Sequence, residues 1–343
     1  MYYKEEIEKN TRFREEYVNS IDEFLNSEKQ RSAFQRIEFI NPTLYKQNSE
    51  KYRRLFLDFL GFPLQMQQET PQVIEKIFIA KDGNVNIYRM QFLLLGNIKF
   101  YGIYFEQCDA YAEKPFVIGL HGGAGTAEIV SSIYSDSANY NHLVRRMTDR
   151  GANVFVPQML LWYVDWYGNQ YDRTQTDAKF RQLGGSITAF ELYCIRACLD
   201  YFISQGVNEN KLGVAGLSYG GMYALHLAAI DTRIKACYSS SWLCDSYMLP
   251  NSDWSYKNAL NTFSVAETGA LVCPRALVVG MGKNDDLFDY HKTQKEFESI
   301  KEYYTCWGCP NKAKLVVYDG GHELNKNDEE MNFFFNSLED EKI

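Results

Sequence analysis

Apolar residues along this chain follow two different periods, and the change falls near residue 70. Before it, Tyr17, Val18, Ile21, Phe24 and Leu25 recur at the spacing of one helix face. Tyr52, Leu55, Phe56, Phe59 and Leu60 repeat that spacing, and Gly61 with Pro63 just beyond marks a helix end. The pattern predicts a helical extension over residues 1–70, separate in character and suited to a subunit contact. From about 74, "IEKIFIA", "VNIYRMQFLLL" and "IKFYGIYFEQ" read as three strands with turn signals at Asp82-Gly83 and Gly96-Asn97. Short apolar runs then alternate with helical stretches. Strands are expected at 115–120, 152–157, 211–216, 234–241, 275–282 and 313–320. Helices are expected near 136–149, 187–205, 219–230 and 326–338, with one more between the last two strands. Alternation of this kind specifies a mostly parallel sheet covered by helices on both faces, so residues 71–343 form one α/β domain.

Composition narrows the partners. The formal charge of −8 over 343 residues argues against a polyanion such as nucleic acid. No uncharged apolar run approaches the roughly 18 residues that span a bilayer. The opening "MYYKEEIEKNTRFREE" lacks the basic-then-apolar pattern of a secretory signal, which sets an expectation of cytoplasmic location. Eight scattered cysteines are then expected as reduced thiols. "CWGC" (Cys306, Cys309) has the spacing of redox and zinc motifs, but no second pair supplies a metal's remaining ligands. It reads as two thiols near a turn.

The stretch that carries chemistry is "LGVAGLSYGGMYALHLAA". Gly216-Leu217-Ser218-Tyr219-Gly220 matches G-x-S-x-G, which alone occurs in roughly one chain in ten of this length. Its context is specific: an expected buried strand precedes it and an expected helix follows. A serine at the top of a sheet needs a cramped turn, in which a Cβ at 216 or 220 would collide with its neighbours. The helix start beyond it aims its dipole at the hydroxyl.

A serine hydroxyl needs a base, and the base an orienting acid. Among five histidines, His226 lies within the helix after Ser218, His142 within an earlier helix, and His291 opens a later one. His322, in "VVYDGGHEL" just past the last strand, is the expected base. The loop "VVGMGKNDDLFD" offers Asp285 as the acid, with Asp286 as the alternative and Asp289 nearby. The backbone N–H of Tyr219 would be one oxyanion donor. The loop His121-Gly122-Gly123-Ala124 would supply the other, at Gly123 or else Gly122. His121 would shape that loop. Trp162, Trp166, Trp242 and Trp254 fall in two segments after sheet strands. They either build an aromatic-lined mouth over Ser218 or pack those segments onto the body.

With "HGGAG", "GLSYGG", "GGHE" and "IRACLDYFISQGVNENKLGVAG", the chain resembles the α/β-hydrolase superfamily over about 75–340. Within it, the chain is similar to the dienelactone-hydrolase and acetyl-xylan-esterase-like group. The resemblance implies a serine hydrolase of a carboxylic ester, acetyl or another short acyl, with no metal and no diffusible cofactor. Its expected partner is a small-molecule ester, with a homo-oligomer as a further possibility. "FRQLGG" departs from the Arg-Gly-Gln motif of bacterial acetyl-xylan esterases, and the cysteine nucleophile of dienelactone hydrolases proper is absent. Two rivals are a prolyl-oligopeptidase-type serine peptidase and a catalytically silent binding protein. Against the peptidase, no large β domain fits in the first 70 residues.

Overall fold

The structure is a computed structural model that describes residues 5–109, 111–249 and 251–339. Residues 1–4, 110, 250 and 340–343 lie outside it, and with them the outer bounds of the two expected segments, 1–70 and 71–343. Helix α1 (Ile7–Phe39) is followed by α2 (Pro42–Leu60), which opens with Asn41 capping the amide of Leu44 at 3.0 Å and Pro42 at its first turn. The apolar stripe of α1 is left largely uncovered among the described residues: Tyr17, Val18, Ile21, Phe24 and Leu25 are all exposed. Helix α2 behaves differently. Tyr45, Tyr52, Phe56 and Leu60 belong to the main hydrophobic core, and Arg53 donates to the carbonyls of Ala229 and Leu271 at 2.7 Å. The second helix is therefore part of the α/β body, because its long aromatic face has no other surface to cover it.

Strands β1 (Gln72–Asp82), β2 (Val85–Leu94) and β3 (Ile98–Gln107) form an antiparallel meander. Then come β4 (Phe116–Leu120), α3 (Ala127–Val130), α4 (Leu143–Thr148), β5 (Asn153–Pro157), α5 (Arg173–Gln182) and α6 (Ile187–Ser204). The chain continues through β6 (Leu212–Leu217), α7 (Tyr219–Ile230), β7 (Ala236–Ser240), α8 (Val265–Ala270), β8 (Ala276–Gly282), α9 (Tyr290–Trp307), β9 (Ala313–Tyr318) and α10 (Glu329–Glu339). Among the described residues these strands make one nine-stranded sheet, ordered β1-β2-β3-β5-β4-β6-β7-β8-β9 and parallel from β5 onward. Every residue of β4 through β8 is buried, as the unbroken apolar runs require of strands covered on both faces.

One further expectation changes. The helix expected at 136–149 is broken: Asn141 and His142 take left-handed φ values of 45° and 57°, and helix resumes only at Leu143. His142 therefore precedes α4 and is exposed. Cys306 lies in the last turn of α9 and Cys309 opens a short 3₁₀ turn, both as free thiols. Among the described residues no cluster of His, Cys, Asp or Glu could hold a metal ion. No helix among them is long and apolar enough to cross a membrane.

Candidate active site

Strand order decides what meets at the sheet's carboxyl edge. Because β4 lies between β5 and β6, Leu120 pairs with Gly216, and the loop 121–125 emerges beside Ser218. On the far side Gly282 pairs with Tyr318, so the loops after β8 and β9 run together. They are laced by amides of Lys283 and Asn284 donating to the carbonyls of Tyr318 and Gly320, both at 2.9 Å.

Ser218 occupies the turn between β6 and α7 at φ 59° and ψ −122°, a backbone that L-residues adopt only when packing imposes it. A Cβ on Gly216 would run into the backbone of Gly220, and one on Gly220 into the carbonyl of Leu120. Glycine at both positions is thus a steric requirement. Ser218 sits at the N-terminus of α7 without its side chain capping the helix, so the hydroxyl is not consumed there. It lines a cavity of about 410 Å³ together with Gly122, Gly123, Trp162, Trp166, Leu287 and His322.

His322 is oriented through Nδ1, which lies 2.9 Å from Asp285 Oδ2. Asp285 is fully buried at its side chain, and its Oδ1 accepts from the amides of Leu287 and Phe288 at 2.9 and 3.0 Å. Burial alone would raise this carboxyl. The bonds to His322 and the two amides outweigh it and hold the group below the usual carboxylate range. Asp286 is exposed, and Asp289 instead caps α9 through the amide of His291. The His322 carbonyl accepts from Asn139 Nδ2 at 3.0 Å, which pins the loop from the other side. With Nδ1 engaged, Nε2 is the imidazole atom left for the cavity.

Around the serine, the Gly122 amide already donates to the Tyr140 hydroxyl at 2.7 Å, leaving Gly123 the better placed of the two glycines. Burial pushes the Tyr140 phenol up, so it stays a neutral partner. His121 is buried, accepts from the Met159 amide at 3.0 Å, and is pushed down by burial. It ties the loop to the end of β5. His226 is buried in α7, its Nδ1 2.7 Å from the Met222 carbonyl, and His291 is exposed at the start of α9. The tryptophans divide. Trp162 and Trp166 line the serine cavity, whereas Trp254 lines a neighbouring one. Trp242 is 1% exposed and lines neither, contrary to the expected mouth; it packs edge-on against Trp254 at 5.4 Å within the body.

A buried polar group beneath the site has no counterpart in the sequence reading. Arg173, at the start of α5, donates to Asp253 Oδ2 at 2.6 Å, Glu191 Oε2 at 3.0 Å and the Tyr223 hydroxyl at 2.9 Å. Its guanidinium also faces the ring of Tyr219, whose hydroxyl donates to Asp253 at 3.1 Å. Burial would lower Arg173, but Tyr223, Glu191 and Asp253 together hold it well above its ordinary value. No spacing rule links residues 173, 191 and 253, so only the fold reveals them.

One similar structure is a Bacteroides fragilis NCTC 9343 protein described as a "putative acetyl xylan esterase", with TM-score 0.67 and 15% identity over 87% of this chain and 83% of that one. A glucuronoyl esterase from Solibacter usitatus superposes with TM-score 0.64 at 12% identity, covering 88% and 94%. The chain has the α/β-hydrolase fold. Acetyl xylan esterase 1 from Thermoanaerobacterium sp. JW/SL YS485 shares this fold at TM-score 0.56 and 15% identity, over 84% and 93% of the two chains. No protein-family model matches the sequence. A segment of 140 residues, 38% of this α/β-hydrolase-fold chain, is 29% identical to "Putative hydrolase YtaP" of Bacillus subtilis (strain 168). The match spans 47% of that relative, about half its length.

Proposed function

We propose that the chain is a serine hydrolase that cleaves a carboxylic ester through an acyl-enzyme. The observation that carries this reading is the His322–Asp285 hydrogen bond at 2.9 Å at the edge of the cavity that Ser218 lines. His322 Nε2 takes the proton of Ser218 as Oγ attacks the ester carbonyl, and Asp285 holds the imidazole in the required tautomer. The amides of Tyr219 and Gly123 hold the oxyanion, each worth about 3–4 kcal/mol of the barrier. Collapse expels the alkoxide, which leaves with the proton from Nε2. Water then attacks the acyl group, giving its proton to Nε2, and the acid departs as Ser218 recovers its own.

The similarity to esterases of acetyl xylan and glucuronoyl type supports an ester over other acyl compounds. Labelling by a fluorophosphonate probe tests the nucleophile: the purified protein is expected to label, and Ser218→Ala to lose the label with its fold intact. An unlabelled wild-type chain would refute the reading. Turnover of a short-chain ester but not of an amide with the same acyl group separates an esterase from a peptidase.

A further inference from the structure

Trp162 lines two cavities at once. Beside the Ser218 chamber lies a larger hollow of about 510 Å³, and Trp162 and Leu287 are the residues that line both. Each of these is anchored to the catalytic centre. Trp162 covers Gly123 so closely that a methyl carbon there would come within 2.8 Å of the indole. Leu287 gives its amide to Asp285, the residue that orients His322. A carbonyl held between Ser218 and Gly123 therefore sits at the boundary of the two chambers. An ester has two arms, and each can occupy its own space.

The walls of the second chamber are mostly apolar, with Asn251 and Lys292 among the polar residues that line it. Val164, Leu249, Trp254 and Phe288 line it, and the two rings are braced from behind. Trp254 packs edge-on against Tyr219 at 5.1 Å, while Phe288 packs on Trp242 at 6.0 Å and on His322 at 5.8 Å. Its carboxylates are engaged elsewhere: Asp245 with Lys29 at 2.7 Å, Asp289 with the amide that starts α9. Val164, Met248 and Leu287 remain exposed, apolar surface of the sort that marks a binding site.

We propose that this chamber receives a bulky hydrocarbon arm of the ester, aromatic or branched and far larger than the two carbons of acetate. The proposal rests on the ester-hydrolase reading above. An apolar wall discriminates by burial, and each added methylene is worth roughly fourfold in kcat/KM until the space is full. Such an arm could belong to the acid or to the alcohol, and two substrate series distinguish them.

The test uses the full chain with methyl esters of acids growing from acetate to octanoate and phenylpropanoate, and with acetates of the corresponding alcohols. One series is expected to rise in kcat/KM by about fourfold per methylene over several steps. The ratio of bulky to smallest ester is expected to fall at least tenfold in Val164→Trp and in Leu249→Trp, each of which crowds the chamber. Flat responses in both series, with methyl acetate still hydrolysed, would overturn the chamber assignment and leave the hydrolase reading standing. A rise that neither tryptophan variant alters would overturn it as well. Failure to turn over any ester, with Ser218 unlabelled by a phosphonate, would remove the reading on which it rests.

Discussion

Three aspartates crowd the loop after β8, and hydrogen bonding separates them. Asp285 accepts from two amides of its own loop and from His322, so its carboxylate is fixed and kept ionised despite full burial. An asparagine there would keep the shape but stabilise the wrong imidazole tautomer. Asp285→Asn is expected to lower kcat on a short ester by about 10⁴-fold. Asp286→Asn, at an exposed position, is expected to stay within twofold of wild type. Steady-state kinetics on both variants checks the pair, and the reverse ranking would transfer the role to Asp286. The choice between 285 and 286 was open in the sequence because adjacent loop residues share composition and distance from the strand. The fold separates the two, turning the side chain of Asp285 inward and leaving Asp286 exposed.

Elements differ in how plainly the sequence announces them. Parallel strands are legible because burial on both faces demands unbroken apolar runs, and the turn at Ser218 is legible because its glycines answer to steric contact. Periodicity locates the helical turns of α1 but carries no information about what covers them, so its exposed stripe is visible only in the fold. Equally hidden are left-handed residues such as Asn141 and His142, and pairings between distant loops. Arg173 is the strongest case, since it joins α5 to Glu191 of α6, Tyr223 of α7 and the loop at Asp253. Removing one member of a buried ionic group leaves the others uncompensated, at about 3–5 kcal/mol. Arg173→Met is expected to lose stability of that order in chemical denaturation, because Glu191 and Asp253 are then left without their cation. Adding Asp253→Asn is expected to restore part of it. A loss under about 1 kcal/mol would show that those carboxylates are satisfied without the arginine.

Over the whole molecule, buried acids that resist ionisation and buried histidines act on stability with opposite signs: His121 and His226, pushed down by burial, make stability rise as pH climbs to about 6.5. Glu330 of α10 is 1% exposed, one oxygen accepting from Asn325 at 2.9 Å and the other without a hydrogen-bond partner among the described residues. Burial pushes it up to about 7, Glu329 adding to the rise and Arg146 and Asn325 opposing it, with Tyr238 and Tyr318 also near. Glu296 of α9, beside Glu267, Asp245, Arg36 and Lys295, is likewise pushed up to about 7, chiefly by burial. Between the ordinary glutamate value of about 4.3 and about 7, the folded chain retains protons that the unfolded chain has released. The contribution of these two acids therefore falls as pH rises through that window and levels off above it. Asp285, held low, acts in the opposite sense: its contribution is present above about 3.9 and is lost as pH falls through its folded value. Glu330→Gln, which cannot ionise, is expected to gain melting temperature relative to wild type as pH rises from 5 to 8, and to melt above it at pH 8. Parallel melting curves for the two proteins across that range would mean that Glu330 ionises freely. A gain in the variant would instead place a neutral carboxyl against Asn325, three positions after His322 in the chain.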